Sequence, residues 1–357
     1  HLISNAHLDP IWQWEWEEGC ASAVATFRCA ARFCREFDNY IFCHNEALIY
    51  RWVEEYDPAL FREIRELVRL GKWHIMGGWH VQPDCNMPSG EAFVRQITEG
   101  RRYFREKFGV EPTTAINFDP FGHTRGLVQI LAGTGYDSYI FCRPHEGLCH
   151  LPAETFRWVG YDGSSVIAQR SQTGYSTALG NAMKKIRPTT EALTDAAPLG
   201  FCLWGVGNHG GGPSREDIRA INAFMEEAKA EGVTVLHSTP EAYFADVRAE
   251  AAAGTRVLPE HHGDLTAWAQ GCYTSQVLIK QKYRQTENSL FSAEKAVSHA
   301  VLLGLMEYPE KEFGEALYDL LTVQFHDVLP GTSIQPAEEG AIRMLDQIGR
   351  ASCRERV

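Results

Sequence analysis

From His1 to about Ser238, short apolar runs rich in β-branched and aromatic residues alternate with longer stretches whose apolar positions recur every three or four residues. The short runs predict strands over Leu2 to Ala6, Tyr40 to His44, Trp73 to Gly77, Ala115 to Phe118, Ser138 to Cys142, Ser165 to Gln169, Phe201 to Val206 and Val233 to His237. The longer stretches predict helices over Ala21 to Phe37, Glu46 to Leu70, Gly90 to Phe108, Gly126 to Gly133 and Arg215 to Glu231. Such βαβα alternation predicts an α/β fold, a mainly parallel, barrel-like sheet covered by helices. Chemistry in such folds gathers at the C-terminal ends of the strands. After Gly254 the pattern changes: a loop-like stretch precedes a region, Ser275 to about Leu345, that reads as three helices broken near Tyr308-Pro309 and Pro330-Gly331. The expected organisation is an α/β catalytic domain over 1–255, a small three-helix domain over 256–347, and a non-native tail over 348–357 where the helical pattern stops.

Composition narrows the class of function. Hydrophobic residues make up 44% of the 357 and charged residues 22%, the balance of an ordinary globular protein. The formal net charge is −12, with no cluster of Lys and Arg interleaved with aromatics, so nucleic acid is not an expected partner. The longest apolar runs, such as Ala300 to Met306, fall far short of the ~20 residues of a membrane span, and no membrane association is expected. None of the ten cysteines forms a CxxC pair; they read as reduced thiols of a cytoplasmic protein, with Cys29, Cys34, Cys142 and Cys202 in apolar-periodic segments. A first strand at Leu2 with no initiator Met leads to the expectation that the chain is part of something longer.

Four segments carry candidate chemistry. His7-Leu8-Asp9-Pro10-Ile11-Trp12 follows the first strand, and in extended backbone His7 and Asp9 project to one side, where a nitrogen and a carboxylate can bind one divalent cation. Asn117-Phe118-Asp119-Pro120-Phe121-Gly122-His123 places an Asp at a strand end; alone, Asp-Pro is also an ordinary turn starter. Gly205-Val206-Gly207-Asn208-His209-Gly210-Gly211-Gly212-Pro213 is a loop through which backbone can approach a ligand closely, without the GxxxxGK[ST] spacing of a phosphate loop. Gln324-Phe325-His326-Asp327-Val328-Leu329-Pro330-Gly331-Thr332 ends a predicted helix, where His and Asp also serve as caps.

Together these segments resemble the catalytic segments of family 38 α-mannosidases, which are retaining glycoside hydrolases with a divalent metal in the site. The resemblance spans nearly the whole chain: HLDPIW opens it, GKWHIMGGWHVQPDCNMPSGE and NFDPFGH follow in order, and QFHDVLPGT closes it. It implies that His7, Asp9, Asp119 and His326 coordinate the metal. Two imidazoles and two carboxylates suit Zn²⁺ first, then Co²⁺ or Mn²⁺, and least Ca²⁺, which prefers oxygen ligands. It further implies that Asp119 is the nucleophile, that Trp12 and Phe121 wall the sugar site, that Arg143 positions the nucleophile, and that Asp327 holds sugar hydroxyls. Cytosolic-type members carry an acid/base Asp where this chain has Asn208; some bacterial-type members resemble the GNHGGGP version. Asn208 is then a substrate-binding residue, and His209 or Asp264 a candidate general acid.

The implied activity is that of an exo-acting α-mannosidase on an α-mannoside oligosaccharide or a mannosylated small molecule, with a homo-oligomer as one possible assembly. Two other readings stay open: a metal-dependent sugar deacetylase or amidohydrolase, and an inactive mannose-binding relative, which Asn208 motivates. Among other residues, His261 and His262 read as surface, Glu54-Glu55 and Glu226-Glu227 as solvated helix faces, and Asp84, between His74, His80 and the site segments, as either a support of the site or a turn residue.

Overall fold

The computed structural model describes residues 1–195 and 197–354, the side chains of 349–354 excepted. Its strands are β1 (Leu2–Ser4), β2 (Phe42–His44), β3 (Trp73–Ile75), β4 (Thr114–Asn117), β5 (Ser138–Phe141), β6 (Thr155–Val159), β7 (Ser165–Arg170), β8 (Cys202–Trp204) and β9 (Glu260–His261). Its first eight helices are α1 (Trp16–Glu36), α2 (Ala47–Tyr56), α3 (Pro58–Arg69), α4 (Gly90–Phe108), α5 (Gly126–Gly133), α6 (Met183–Glu191), α7 (Arg215–Ala230) and α8 (Pro240–Ala252). The strands form a four-stranded sheet in the order β3-β2-β1-β8 and a five-stranded sheet in the order β4-β5-β7-β6-β9. All pairings are parallel except β6 with β7.

The two sheets share one interior. Ile3, Cys43, Ile116, Ile140, Ile167 and Leu203, one each from β1, β2, β4, β5, β7 and β8, pack in a single cluster. Their sequence neighbours Leu2, Phe42 and Cys202 face the other way, into the layer that holds Phe27, Ala30 and Cys34 of α1. Because the side-chain period of a strand is 2, burial on both faces requires the near-continuous apolar runs seen in the sequence. This is the expected mixed α/β architecture, with parallel strands covered by helices.

Differences from the expected elements have local causes. Glu46 to Leu70 is two helices, because Pro58 opens α3 and the Asp57 side chain caps it by accepting from the Leu60 amide at 3.0 Å. Val233 to His237 is not a strand. Only His237 bridges, to Leu2, and by Ser4 that edge of β1 is occupied by Phe42 of β2. β6 and β7 form an antiparallel hairpin closed at Gly160, whose amide donates to Ser164 O at 2.8 Å; the Asp162-Gly163 pair between two β-rich runs is its signal in the sequence. α6 buries Ile186 alone and contains Pro188, so it has almost no apolar period to read. Cys29 is exposed on α1, not a core residue, whereas Cys34, Cys142 and Cys202 are buried; the cysteines among the described residues are free thiols.

The second domain consists of α9 (Val277–Leu302), α10 (Glu310–Val323) and α11 (Gln335–Arg354). The breaks at Pro309 and Pro330-Gly331 fall where expected, but α11 runs to Arg354, so the helical pattern does not stop at 348. Residues 355–357 of the expected tail lie outside the described residues. Among the described residues no helix is long and apolar enough to cross a membrane.

Candidate active site

The site residues sit just past the C-terminal ends of strands. His7 and Asp9 follow β1, Gln82 follows β3, Asp119 follows β4, Arg143 follows β5 and the glycine-rich loop follows β8. Leu8 turns into the core, so His7 and Asp9 face one side, with His7 Nε2 2.9 Å from Asp9 Oδ1. His326 arrives from the second domain, on the turn after α10. Its Nε2 lies 3.5 Å from Asp9 Oδ1 and 3.7 Å from Asp327 Oδ2, and its ring stacks on His7 with centroids 5.5 Å apart. The segment after β3 docks that turn: Pro83 bridges to Phe325, and the Asp84 amide donates to Gln324 O at 2.8 Å. A pair 319 positions apart in sequence is thereby brought into contact.

One ligand atom from each of His7, Asp119 and His326 falls within a common 4.8 Å, as does one from each of Asp9, His326 and Asp327. His7 Nε2, Asp9 Oδ1 and His326 Nε2 are buried with no aligned hydrogen-bond partner among the described residues. Unpaired buried polar atoms are costly, and these converge on one point, so the donor set fits a divalent cation. The electrostatics are those of a charged cluster closed from water. Burial opposes the charge on His326, but Asp9, Asp327 and Asp119 outweigh it and push its pKa up to about 10. Burial raises Asp327, with the Asp9 charge adding to it, whereas His7 and His326 hold Asp9 below the usual carboxylate range despite its burial.

Asp119 differs from the others in exposure: its side chain is 16% exposed, against 0% for His7 and His326, so it is the carboxylate of this group that opens to a substrate. Arg143 Nε donates to its Oδ1, and the Tyr175 hydroxyl donates to its Oδ2 at 2.9 Å. The Arg143 guanidinium lies over the Trp268 ring, 4.2 Å from its centroid, and Trp268 stacks on Phe121 at 5.2 Å. Trp12 is half-buried, edge-on to Trp14, and its carbonyl accepts from the Ile334 amide of the second domain. Asp327 accepts from the Thr332 hydroxyl.

The glycine-rich loop is clamped to the His7 segment. Asn208 N donates to His7 O at 2.5 Å, and Asp9 N donates to Asn208 O at 2.9 Å. Gly205, at φ +125°, makes this approach possible, since a Cβ there would lie 1.9 Å from Asn5 O. Gly205→Ala combines backbone strain with overpacking and should cost about 2–5 kcal/mol, read as a lower urea midpoint. Asn208, in the left-handed region at φ +71°, has its side-chain Oδ1 buried and unpaired among the described residues. His209 points elsewhere: its Nε2 is 2.6 Å from Glu18 Oε1, both side chains are about half exposed, and its ring meets Trp14 edge-on. Asp264 is exposed and accepts from the Arg125 amide at the start of α5.

The Asp84 side chain is that of a turn residue. Its Oδ1 accepts from the amides of Asn86 and Met87, as a turn residue does, and its Oδ2 accepts from the Tyr273 hydroxyl at 2.8 Å. His74 pairs with Glu241, and His80 is buried against Thr322. His261 is half-buried in β9 against Phe156, not a surface residue like the exposed His262. Tyr175 and Trp268 belong to no motif, and Gln82, inside GKWHIMGGWHVQPDCNMPSGE, was given no role there. Tyr175 could have been sought from its place in the loop after β7, a C-terminal strand end.

Superposed on the structure of an α-mannosidase from Enterococcus faecalis V583, the chain is covered over 99% of its length and that protein over 41%, with a TM-score of 0.86 at 19% identity, a likeness of fold. The profile of the Glycosyl hydrolases family 38 N-terminal domain matches residues 1–271, that of the Alpha mannosidase middle domain matches residues 267–352, and the chain belongs to glycosyl hydrolase family 38. Alpha-mannosidase G of Dictyostelium discoideum is 27% identical over 97% of this chain and 32% of its own length. Human Alpha-mannosidase 2C1 is 28% identical over 96% of this chain and 33% of its own length. The chain thus spans about a third of the length of the curated relatives it matches.

Proposed function

We propose that the chain carries the catalytic centre of a retaining exo-α-mannosidase acting on terminal mannose of an oligosaccharide or mannosylated small molecule, with a divalent cation held by His7, Asp9, Asp119 and His326. The observation that carries this reading is the convergence of buried, unpaired His7 Nε2, Asp9 Oδ1 and His326 Nε2 beside the more exposed Asp119. Two imidazoles with carboxylates favour Zn²⁺, with Co²⁺ or Mn²⁺ next and Ca²⁺ last. When bound, the cation supplies a positive centre that the cis O2 and O3 of mannose, and not the trans pair of glucose, can chelate.

The protein residues carry the bond changes. The Asp119 carboxylate attacks the anomeric carbon as the bond from that carbon to the glycosidic oxygen breaks, and the departing oxygen takes a proton from a general acid. Water then attacks the same carbon, loses its proton to the conjugate base, and releases Asp119 and mannose. Arg143 and Tyr175 hold the two Asp119 oxygens by hydrogen bonds, so the attacking lone pair is aimed before substrate arrives. Trp12 and Phe121 supply apolar walls to the sugar faces and keep water from the charge-bearing centre. Asn208 and Asp327 offer polar atoms to the sugar hydroxyls. An amide has no proton to give at neutral pH, and His209, next in the loop, would have to swing away from Glu18 to serve as the acid, with Asp264 as the other candidate.

The test is hydrolysis of an aryl α-mannoside before and after removal of metal with EDTA. Activity that is lost on chelation and restored by Zn²⁺ or Co²⁺ is the expected result. Turnover that persists in the stripped protein, or deacetylation of an N-acetylated sugar without mannosidase activity, would overturn the reading.

A further inference from the structure

Both imidazoles at the centre are bonded to one residue, Gln82, which is 1% exposed, and the two bonds set opposite tautomers. The Gln82 carbonyl accepts from His326 Nδ1 at 2.9 Å and from the His326 amide at 3.2 Å. A carbonyl oxygen only accepts, so His326 carries a proton on Nδ1 in either charge state, and Nε2 is the nitrogen left to meet a cation. The Gln82 side chain faces His7: its Nε2 is 3.3 Å from His7 Nδ1. That amide cannot turn over freely, because its Oε1 accepts from the Phe118 amide at 2.7 Å, and turning would set NH₂ against that buried N–H. The Gln82 backbone is fixed as well, its amide donating to Oε1 of the buried Glu46 at 2.8 Å. An amide NH₂ only donates, so His7 Nδ1 accepts and the His7 proton sits on Nε2, 2.9 Å from Asp9 Oδ1.

We propose that Gln82 is a positioning residue that holds His326 in the tautomer a cation needs and His7 in the other one, and so sets the cation affinity of the centre below what its four ligands could give. This inference rests on the reading of His7 and His326 as ligands through Nε2. Ligation by His7 Nε2 requires its proton to leave that nitrogen for solvent and one to be taken up at Nδ1, a move with no net proton change. The new Nδ1–H then meets the NH₂ of Gln82. A carboxylate at the same place removes the conflict, since one oxygen accepts from the Phe118 amide and the other from His7 Nδ1–H.

The experiment uses the chain labelled with ¹⁵N-histidine, stripped of metal, at a pH of about 8.5, with long-range ¹H–¹⁵N correlation spectra assigned by His7→Gln and His326→Gln. The expected spectra show His7 in the Nε2–H form and His326 protonated at Nδ1, alone or together with Nε2, with His7 switching to Nδ1–H in Gln82→Glu. Zn²⁺ titration against a chromophoric chelator should show Gln82→Glu binding at least about tenfold tighter than the parent, the scale on which partners of metal-bound imidazoles act. An Nδ1–H or doubly protonated His7 in the stripped parent overturns the proposal, and it does so whether or not Gln82→Glu folds. Equal or weaker Zn²⁺ binding by a folded Gln82→Glu overturns it too. A parent with the two expected tautomers that binds no Zn²⁺, Co²⁺ or Mn²⁺ overturns the claim on affinity and the metal-dependent reading, and leaves the tautomer assignment standing.

Discussion

Asp119→Asn should abolish turnover, with a loss on the order of 10⁴-fold or more in kcat, and should weaken cation binding as well. An amide oxygen is a poorer nucleophile and a poorer ligand than a carboxylate. The substitution also breaks the neighbourhood: Arg143 loses a charged acceptor, and Tyr175 faces a group with donors of its own. A fluorinated mannosyl fluoride, which forms the glycosyl-enzyme ester but is slow to release it, should label Asp119 in the parent, and peptide mapping locates the label. Label on Asp9, Asp327 or Asp264 would move the nucleophile and remove the role given to Asp119.

His326→Ala should lose cation binding by more than the about 10- to 100-fold that a partner outside the metal shell costs, and turnover should fall with it. It should also destabilise the cation-free protein, by about 3–5 kcal/mol, because removing the imidazole leaves Asp9 and Asp327 as buried carboxylates with less compensation. Calorimetry reads the second effect and metal titration the first. A variant that melts like the parent and binds Zn²⁺ as tightly would show that the second domain contributes no ligand.

Much of this was legible in the sequence where the physics is local. The helices Gly90–Phe108 and Gly126–Gly133 end where expected, because Ser89 caps the first and the apolar period of the second is dense. His7 and Asp9 were found on one face because alternation in extended backbone follows from covalent geometry alone. What could not be read depended on distant segments. The edge of β1 is contested by β2 and the His237 segment, and propensity alone cannot decide between them. Tyr175 and Gln82 matter through what they touch, at residues 119, 7 and 326; Tyr175 lies in no motif, and nothing in the motif around Gln82 singles that residue out. His326 was found only by resemblance, since a His-Asp pair at a helix end reads as a cap. Its approach to His7 is set by the antiparallel bridge from Pro83 to Phe325.

The docking of His326 onto Gln82 across the two domains also orders events in time. Synthesis runs from the N-terminus, and domains tend to fold as they emerge. The first domain needs β8 and the glycine-rich loop beside β1, so His7, Asp9 and Asp119 come together when about a quarter of the chain is still unmade, holding two carboxylates against one imidazole. The second imidazole is supplied only when the turn after α10 has left the ribosome and settled against the Pro83 segment. Until then a cation at the proposed centre would meet two carboxylates and one imidazole, with its fourth ligand still to come.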